Sequence, residues 1–233
     1  MPRHPQPGIY DYRALAQRIV LAILVAISVA LADWILLGSG LQIIGAWFGR
    51  TWHHGNTLRC ITLAAALTIY FLRLLLTQFV FLKRGMRWSE ALAIAPWLLF
   101  LYLWLSIEAA RNPAPFVATA WAGVALFLIG SWMNTWAEHQ RNLWKQRPEN
   151  RNHLYTGGLF RYTRHPNYLG DVLSFSGLCF ITGRWITAII PALMLIGFVF
   201  ANIPILDRHL QEHYGDEFAR YAVRTRKLIP FIY

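Results

Sequence analysis

The sequence is poor in charge, and poorest in acidic charge. Only 14% of its 233 residues are charged, against about 25% in a soluble domain. Asp and Glu number 11 and Lys and Arg 22, a formal net charge of +11. Cys60 and Cys179 are the only cysteines, which excludes a disulfide framework or a cysteine-rich metal centre built from this chain alone. No G-x-G-x-x-G follows a strand-like run, and Gly38-Ser39-Gly40 lacks the third glycine; a Rossmann fingerprint is therefore absent. What is abundant is apolar surface, with 56% hydrophobic residues, and that excludes disorder.

A helix that crosses the hydrocarbon core needs roughly 20 mostly apolar residues. Six stretches reach or approach this: about residues 17–37, 57–82, 91–107, 116–136, 168–182 and 185–204. The fifth is short. Residues 41–48 are too short to span and read as an interfacial or re-entrant piece; counted as a span they give seven. Arg3 and Arg13 precede a long apolar stretch, but that stretch exceeds a signal-peptide core and ends in no small-residue cleavage site.

Arg73 apart, Lys and Arg fall along successive tails, connections and span entries as 3, 2, 3, 1, 6, 1 and 5. This alternation is the positive-inside pattern of six spans with both termini cytoplasmic. The expected fold is all-α: a polytopic transmembrane helical bundle of about six spans, in a bacterial inner membrane or the endoplasmic reticulum. Basic residues such as Arg3, Arg13, Lys83 and Arg84 then orient the chain and contact anionic lipid. Nucleic-acid binding is not needed to explain the charge.

Ionisable groups inside spans are costly and mark function. Asp33, beside Trp34 at the end of the first span, also reads as an interfacial residue. Arg73 lies about ten residues from the basic end of its span, roughly 15 Å at 1.5 Å per residue, too far for easy snorkelling. Tyr70, three positions earlier, shares its helix face. Asn134, Glu138, Arg141 and Lys145 are spaced four, three and four apart and form one stripe. An i,i+3 pair of Glu138 with Arg141 on a solvated helix accounts for two of them.

The densest polar cluster runs over residues 157–171. Gly157-Gly158 permits a tight turn. Pro166 disfavours helix at His165 and suits the first turn of the fifth span. Arg164 and His165 then stand at the mouth of that span, with Asn167, Tyr168 and Asp171 in its first turns. Such a mouth suits a phosphate or carboxylate, a lipid head group included. Beyond Pro204, residues 207–214 form a polar helix. His209 and His213 are i,i+4, but no third ligand is specified and no metal is expected.

Arg164-His165-Pro166-Asn167-Tyr168-Leu169-Gly170-Asp171 resembles the signature of membrane steroid and sterol reductases. It is similar, less fully, to the Arg-His-Pro-x-Tyr motif of isoprenylcysteine carboxyl methyltransferases. The resemblance covers about residues 134–233, including Gly157-Gly158-Leu159-Phe160 and the ending Leu228-Ile229-Pro230-Phe231-Ile232-Tyr233. A thinner likeness to the steroid 5α-reductases joins Tyr70, Phe71 and Arg73 with Arg84-Gly85-Met86-Arg87.

This resemblance implies one integral membrane domain over residues 1–233, with about 1–133 on the substrate side and 134–233 as the cofactor half. It implies NADPH, bound from the cytoplasm by Arg87, Asn134, Glu138, Lys145, Tyr162, Arg164, His165, Asn167, Asp171, His209 and Tyr214. It implies Tyr70, Arg73 and Asp171 as the catalytic set, with Tyr70 polarising the carbonyl of a lipophilic, steroid-like or enone substrate whose carbon–carbon double bond is reduced. The reductases carry an adjacent Gln-Glu pair in the early spans. None precedes Tyr70 here, and Asp33, His53 and His54 are the polar residues available. The methyltransferase likeness implies S-adenosylmethionine instead, although the acidic pair of those enzymes is broken to Leu206-Asp207-Arg208. A third expectation is a lipid-binding membrane protein without chemistry.

Overall fold

Apolar runs bounded by Asn, Gly and Pro fold as helices throughout the computed structural model, which describes residues 14–82 and 84–233. Arg3, Arg13 and Lys83 lie outside the described residues. The α-helices in order are α1 (Leu15–Leu37), α2 (Gly40–Trp47), α3 (Thr57–Leu76), α4 (Trp88–Ala110), α5 (Ala118–Lys145), α6 (Pro166–Thr182), α7 (Ile189–Gly197), α8 (Ile203–Tyr214) and α9 (Asp216–Arg224). π-helical turns extend α3 over Thr77–Phe81 and join α7 to α8 over Phe198–Asn202. No strand occurs among the described residues; one isolated parallel bridge pairs Thr163 with Arg226.

Four helical stretches among the described residues are long and apolar enough to cross a membrane: Leu15–Leu37, Thr57–Phe81, Trp88–Ala110 and Trp185–Tyr214. The six spans expected from sequence add α5 and α6, and these differ for a physical reason. α5 runs unbroken for 28 residues, but Gly, Ser, Thr and Asn dilute its apolar half and its last turns are polar. α6 has only 17 residues and carries Asp171. Residues 41–48 fall largely within α2, which has 8 residues and is too short to span.

α5 and α6 pack backbone to backbone. Gly123 and Gly130 on α5 face Gly170 and Gly177 on α6. A Cβ on Gly130 would sit 2.4 Å from the Gly170 carbonyl oxygen, and one on Gly177 would sit 2.4 Å from the Phe127 nitrogen. Small residues permit this approach where lipid offers no hydrophobic drive between helices. α1 packs instead on α4 and α3 through Leu21, Val25, Ala32 and Ile35, against a core that includes Leu63, Leu67, Leu98, Leu101 and Leu105. Ile19, Ile23, Ile27, Leu72, Leu92, Phe100 and Leu193 point outward and are exposed, an apolar rim that suits lipid.

The connections sort to two ends. At one, Arg18 donates to the carbonyls of Leu82 (3.0 Å) and Arg84 (2.8 Å). Phe81 stands 6.3 Å from His139 there, so α3 ends beside the end of α5. At the other, Arg59 donates to the carbonyls of Ile181, Ala114 and Pro115. Asn112 donates to Thr182 O at 2.9 Å, and Arg184 meets Glu108 at 3.0 Å. The cation-rich connections share the first end and the cation-poor ones the second.

Candidate functional site

Three helices converge on one carboxylate. Asp171, in the second turn of α6, accepts from Arg73 Nη2 of α3 at 2.8 Å and from Asn134 Nδ2 of α5 at 3.0 Å. Asn134 Nδ2 also donates to the Asn167 carbonyl at 3.0 Å, and Asn167 Nδ2 donates to Glu138 Oε1 at 2.9 Å. The four-residue spacing on α5 thus matches the four-residue spacing on α6. Gly170 makes this possible, because a Cβ there would sit 2.8 Å from the Asn134 nitrogen. Glu138 pairs with Arg141 at 3.1 Å, so the i,i+3 pair and the contact to Asn167 coexist.

Arg73 is the buried cation of this cluster, its side chain 9% exposed. Its guanidinium lies 4.5 Å from the Tyr70 ring centroid, and Tyr70 meets Phe175 edge-on at 5.2 Å. Arg73 Nη1 is buried without a hydrogen-bond partner. An orphaned charged donor costs more than a neutral one, and besides Asp171 the Tyr70 hydroxyl is the chain oxygen that interacts with this guanidinium.

A second carboxylate organises the mouth of α6. Asp207, at the start of α8, takes Arg164 Nη1 on Oδ2 at 2.9 Å and His165 Nε2 on Oδ1 at 2.9 Å. Arg164 and His165, expected to face a ligand there, face a carboxylate of the chain itself, and Arg164 Nε is buried without a hydrogen-bond partner. His165 stacks on Tyr168 at 5.4 Å, and Tyr168 on Phe198 of the π-helical turn at 4.5 Å. Lys145 Nζ donates to Tyr214 Oη at 2.9 Å and to the His153 carbonyl. Tyr221 Oη donates to the Phe160 carbonyl at 2.7 Å, and burial pushes its phenol up, so it remains a neutral donor.

The structure therefore brings together Tyr70, Arg73, Asn134, Glu138, Asn167 and Asp171. It places Arg164, His165, Lys145 and Tyr214 in adjoining clusters. It does not bring Arg87, Tyr162 or His209 to them. Arg87 caps α4 exposed, Tyr162 is 54% exposed on an outer groove, and His209 stacks on His213 at 6.3 Å on the exposed face of α8. His54 lies at the far end, against the Gly38 carbonyl at 3.0 Å, while Asp33 keeps one buried oxygen without a partner. Sequence reasoning missed Asp207 as the partner of Arg164 and His165. Its signal was being the first carboxylate after the last apolar run.

A family profile described as "Protein of unknown function (DUF1295)" matches residues 90–225, more than half of the chain. The chain belongs to this family. The DUF1295 match begins in α4 and ends just past α9, so it contains Asp171, Asp207 and their partners on α5 and at the mouth of α6 but not Tyr70 or Arg73. Among curated proteins, the chain is 32% identical over 118 residues to "Probable O-methyltransferase ustE" of Ustilaginoidea virens, covering 47% of this chain and 40% of that one. It is 30% identical over 91 residues to "Protein-S-isoprenylcysteine O-methyltransferase B" of Arabidopsis thaliana, covering 39% and 46%. It is 29% identical over 118 residues to "Steroid 5-alpha-reductase DET2" of Gossypium hirsutum, covering 48% and 42%. This DUF1295 chain spans less than half the length of each of these relatives. Their names are those of enzymes, and both chemistries suggested by the signature are represented.

Proposed function

We propose that the protein is a membrane reductase that uses NADPH on the carbon–carbon double bond of a lipophilic, steroid-like or enone substrate. The observation that carries this reading is Arg73 Nη1, a buried guanidinium donor without a partner beside Tyr70. The donor set fits a cofactor bearing phosphates: Arg164 Nε is also orphaned, and Lys145, at the end of α5, is held by Tyr214. Arg164, Lys145, Asn134, Glu138, Asn167 and Tyr214 would hold NADPH. When bound, the nicotinamide supplies the hydride.

The chain supplies the electrostatics. As hydride adds to an enone, negative charge grows on the carbonyl oxygen. Arg73 Nη1 and Tyr70 Oη are the donors for that oxygen, and Asp171 holds the guanidinium so that little reorganisation is needed. We further propose six spans, α5 and α6 being the two held by glycine contact, in one integral domain whose cation-rich end and both termini face the cytoplasm. Substrate would enter from lipid on the side of residues 1–133.

One observation favours a methyltransferase instead. Both guanidiniums at the site already carry a carboxylate, Arg73 on Asp171 and Arg164 on Asp207. A site so neutralised suits S-adenosylmethionine, which has no phosphate.

Thermal unfolding of the purified chain in detergent separates the two. A ligand that binds only the folded state adds about 2.7 kcal/mol at a hundredfold its Kd. NADPH is expected to raise Tm and S-adenosylmethionine to leave it unchanged. Stabilisation by S-adenosylmethionine alone replaces the reductase with the second reading, and stabilisation by neither removes both.

A further inference from the structure

Arg161 and Tyr162 close the turn that follows Gly158 and face away from the Asp171 cluster. Two adjoining cavities, of about 260 and 320 Å³, share them as a common wall. Trp136 and Gln140 bound the first, and Arg224 and Arg226 bound the second. Arg161, Arg224 and Arg226 are exposed, and none has a carboxylate partner among the described residues. Gln140 Oε1, on the wall of the first cavity, is buried without a partner.

The rim of this groove is apolar and fixed. Phe231 is 82% exposed and Val223 88% exposed. Phe231 holds φ +67°, a left-handed conformation that a bulky side chain adopts only under constraint. The constraint is visible: Leu228 and Ile229 both donate to the Tyr233 carbonyl, and Thr163 Oγ1 donates to the Leu228 carbonyl at 2.8 Å. The chain end is thus folded back on the mouth of α6 so that an aromatic ring points outward.

We propose that this groove binds the head group of an anionic phospholipid. Its phosphate lies among Arg161, Arg224 and Arg226, with Phe231 and Val223 seated at the acyl boundary. Charge complementarity selects an anion, and the fixed apolar rim selects one attached to a hydrocarbon chain. The exposed Trp136 places the groove at interface depth, where aromatic belts sit. Tyr162 accordingly serves lipid rather than cofactor. The site is separate from the Tyr70–Arg73–Asp171 set and does not depend on the reaction proposed for it.

The test uses the full chain in bilayer discs of mixed phosphatidylglycerol and phosphatidylcholine, with bromine on the acyl chains of one or the other. The quenching lost on Trp136→Phe isolates that reporter. Brominated phosphatidylglycerol is expected to quench Trp136 in clear preference to brominated phosphatidylcholine. The variant R161Q/R224Q/R226Q is expected to lose about tenfold or more of that preference, since each cation near an anionic leaflet is worth on the order of fivefold. In wild type alone, the preference is expected to shrink as salt rises. Equal quenching by the two lipids in wild type, or a preference that survives in the triple variant, overturns the proposal. Displacement of brominated phosphatidylglycerol by inorganic phosphate at equal concentration overturns it in favour of a soluble anion.

Discussion

Arg73 and Asp171 meet at 2.8 Å from helices 98 positions apart in the chain, and Asn134 braces the same carboxylate oxygen from a third helix. Breaking a buried pair from one side leaves an uncompensated charge. Asp171→Asn is therefore expected to cost about 3 kcal/mol, read as a fall in detergent Tm. The double variant R73M/D171L should recover much of that stability and none of the activity. A double variant less stable than both single ones counts against the pair as the source of the cost.

The glycine contact between α5 and α6 carries a second prediction. Gly130→Ala puts a methyl group where the Gly170 carbonyl stands, 2.4 Å away. Such overpacking costs about 1–3 kcal/mol, and the shift of α6 should also loosen Asn134 from Asp171. Gly197→Ala is the control, because nothing lies within 4 Å of its Cβ position. It should leave Tm level or slightly raised, by up to about 1 kcal/mol from helix propensity. Equal losses in both variants would show that steric contact is not the cause.

Arg59 is a structural counterpart to Arg73. It is 2% exposed at the opposite end of α3, and its guanidinium gathers three carbonyls, two from the α4–α5 connection and one from the last turn of α6. Gly183, at φ +62°, passes close enough that its Cβ would sit 2.6 Å from Arg59 Nη1. Arg59→Met orphans those carbonyls, each worth about 1–3 kcal/mol when buried and unsatisfied. Tm should fall sharply, while ligand affinity in the protein that remains folded should match wild type. A selective loss of affinity would move Arg59 into the functional set.

Why the sequence disclosed Arg73 and the cluster at the mouth of α6 is a matter of cost. A cation mid-span, or an Asn and an Asp entering an apolar run, is expensive enough to announce itself, and the four-residue spacings fixed which faces would meet. What stayed hidden lay in pairing between distant segments. Arg164 and His165 have no carboxylate close to them in sequence; Asp207, more than forty positions on, meets both. α5 and α6 read as ordinary spans because glycine adds little to hydropathy, although the spacing of seven between Gly123 and Gly130, and between Gly170 and Gly177, was open to view. Tyr162 and His209 matched motif positions, and the structure leaves both exposed, Tyr162 in a turn and His209 on the outer face of α8.

Tyr221 gives a pH dependence. Burial pushes its phenol above the ordinary value while its Oη donates to the Phe160 carbonyl. The folded state thus favours the protonated phenol. The stability it contributes is complete below the unfolded value of about 10 and is lost as pH rises through the folded one. Wild type should lose stability in strong alkali more steeply than Tyr221→Phe, which should be about 1 kcal/mol less stable near neutrality. Parallel alkaline curves for the two proteins would remove Tyr221 from this role.

Tyr70 is where the proposed chemistry is most exposed to test. It lies beside the Arg73 guanidinium, whose Nη1 is buried without a partner, and Phe175 meets its ring edge-on. Tyr70→Phe keeps the ring, its contact with Phe175 and its place over Arg73, and removes only the hydroxyl donor. Loss of one preorganised oxyanion donor typically lowers turnover by about 10²–10³. Because Tyr70 lies outside the residues assigned to the cofactor, stabilisation by NADPH should be unchanged. The readout is NADPH consumption with an accepted enone, set against Tm with NADPH alone. A variant that consumes NADPH as fast as wild type takes Tyr70 out of the catalytic set. A variant that no longer gains stability from NADPH makes Tyr70 a binding residue, and the oxyanion would then rest on Arg73 alone.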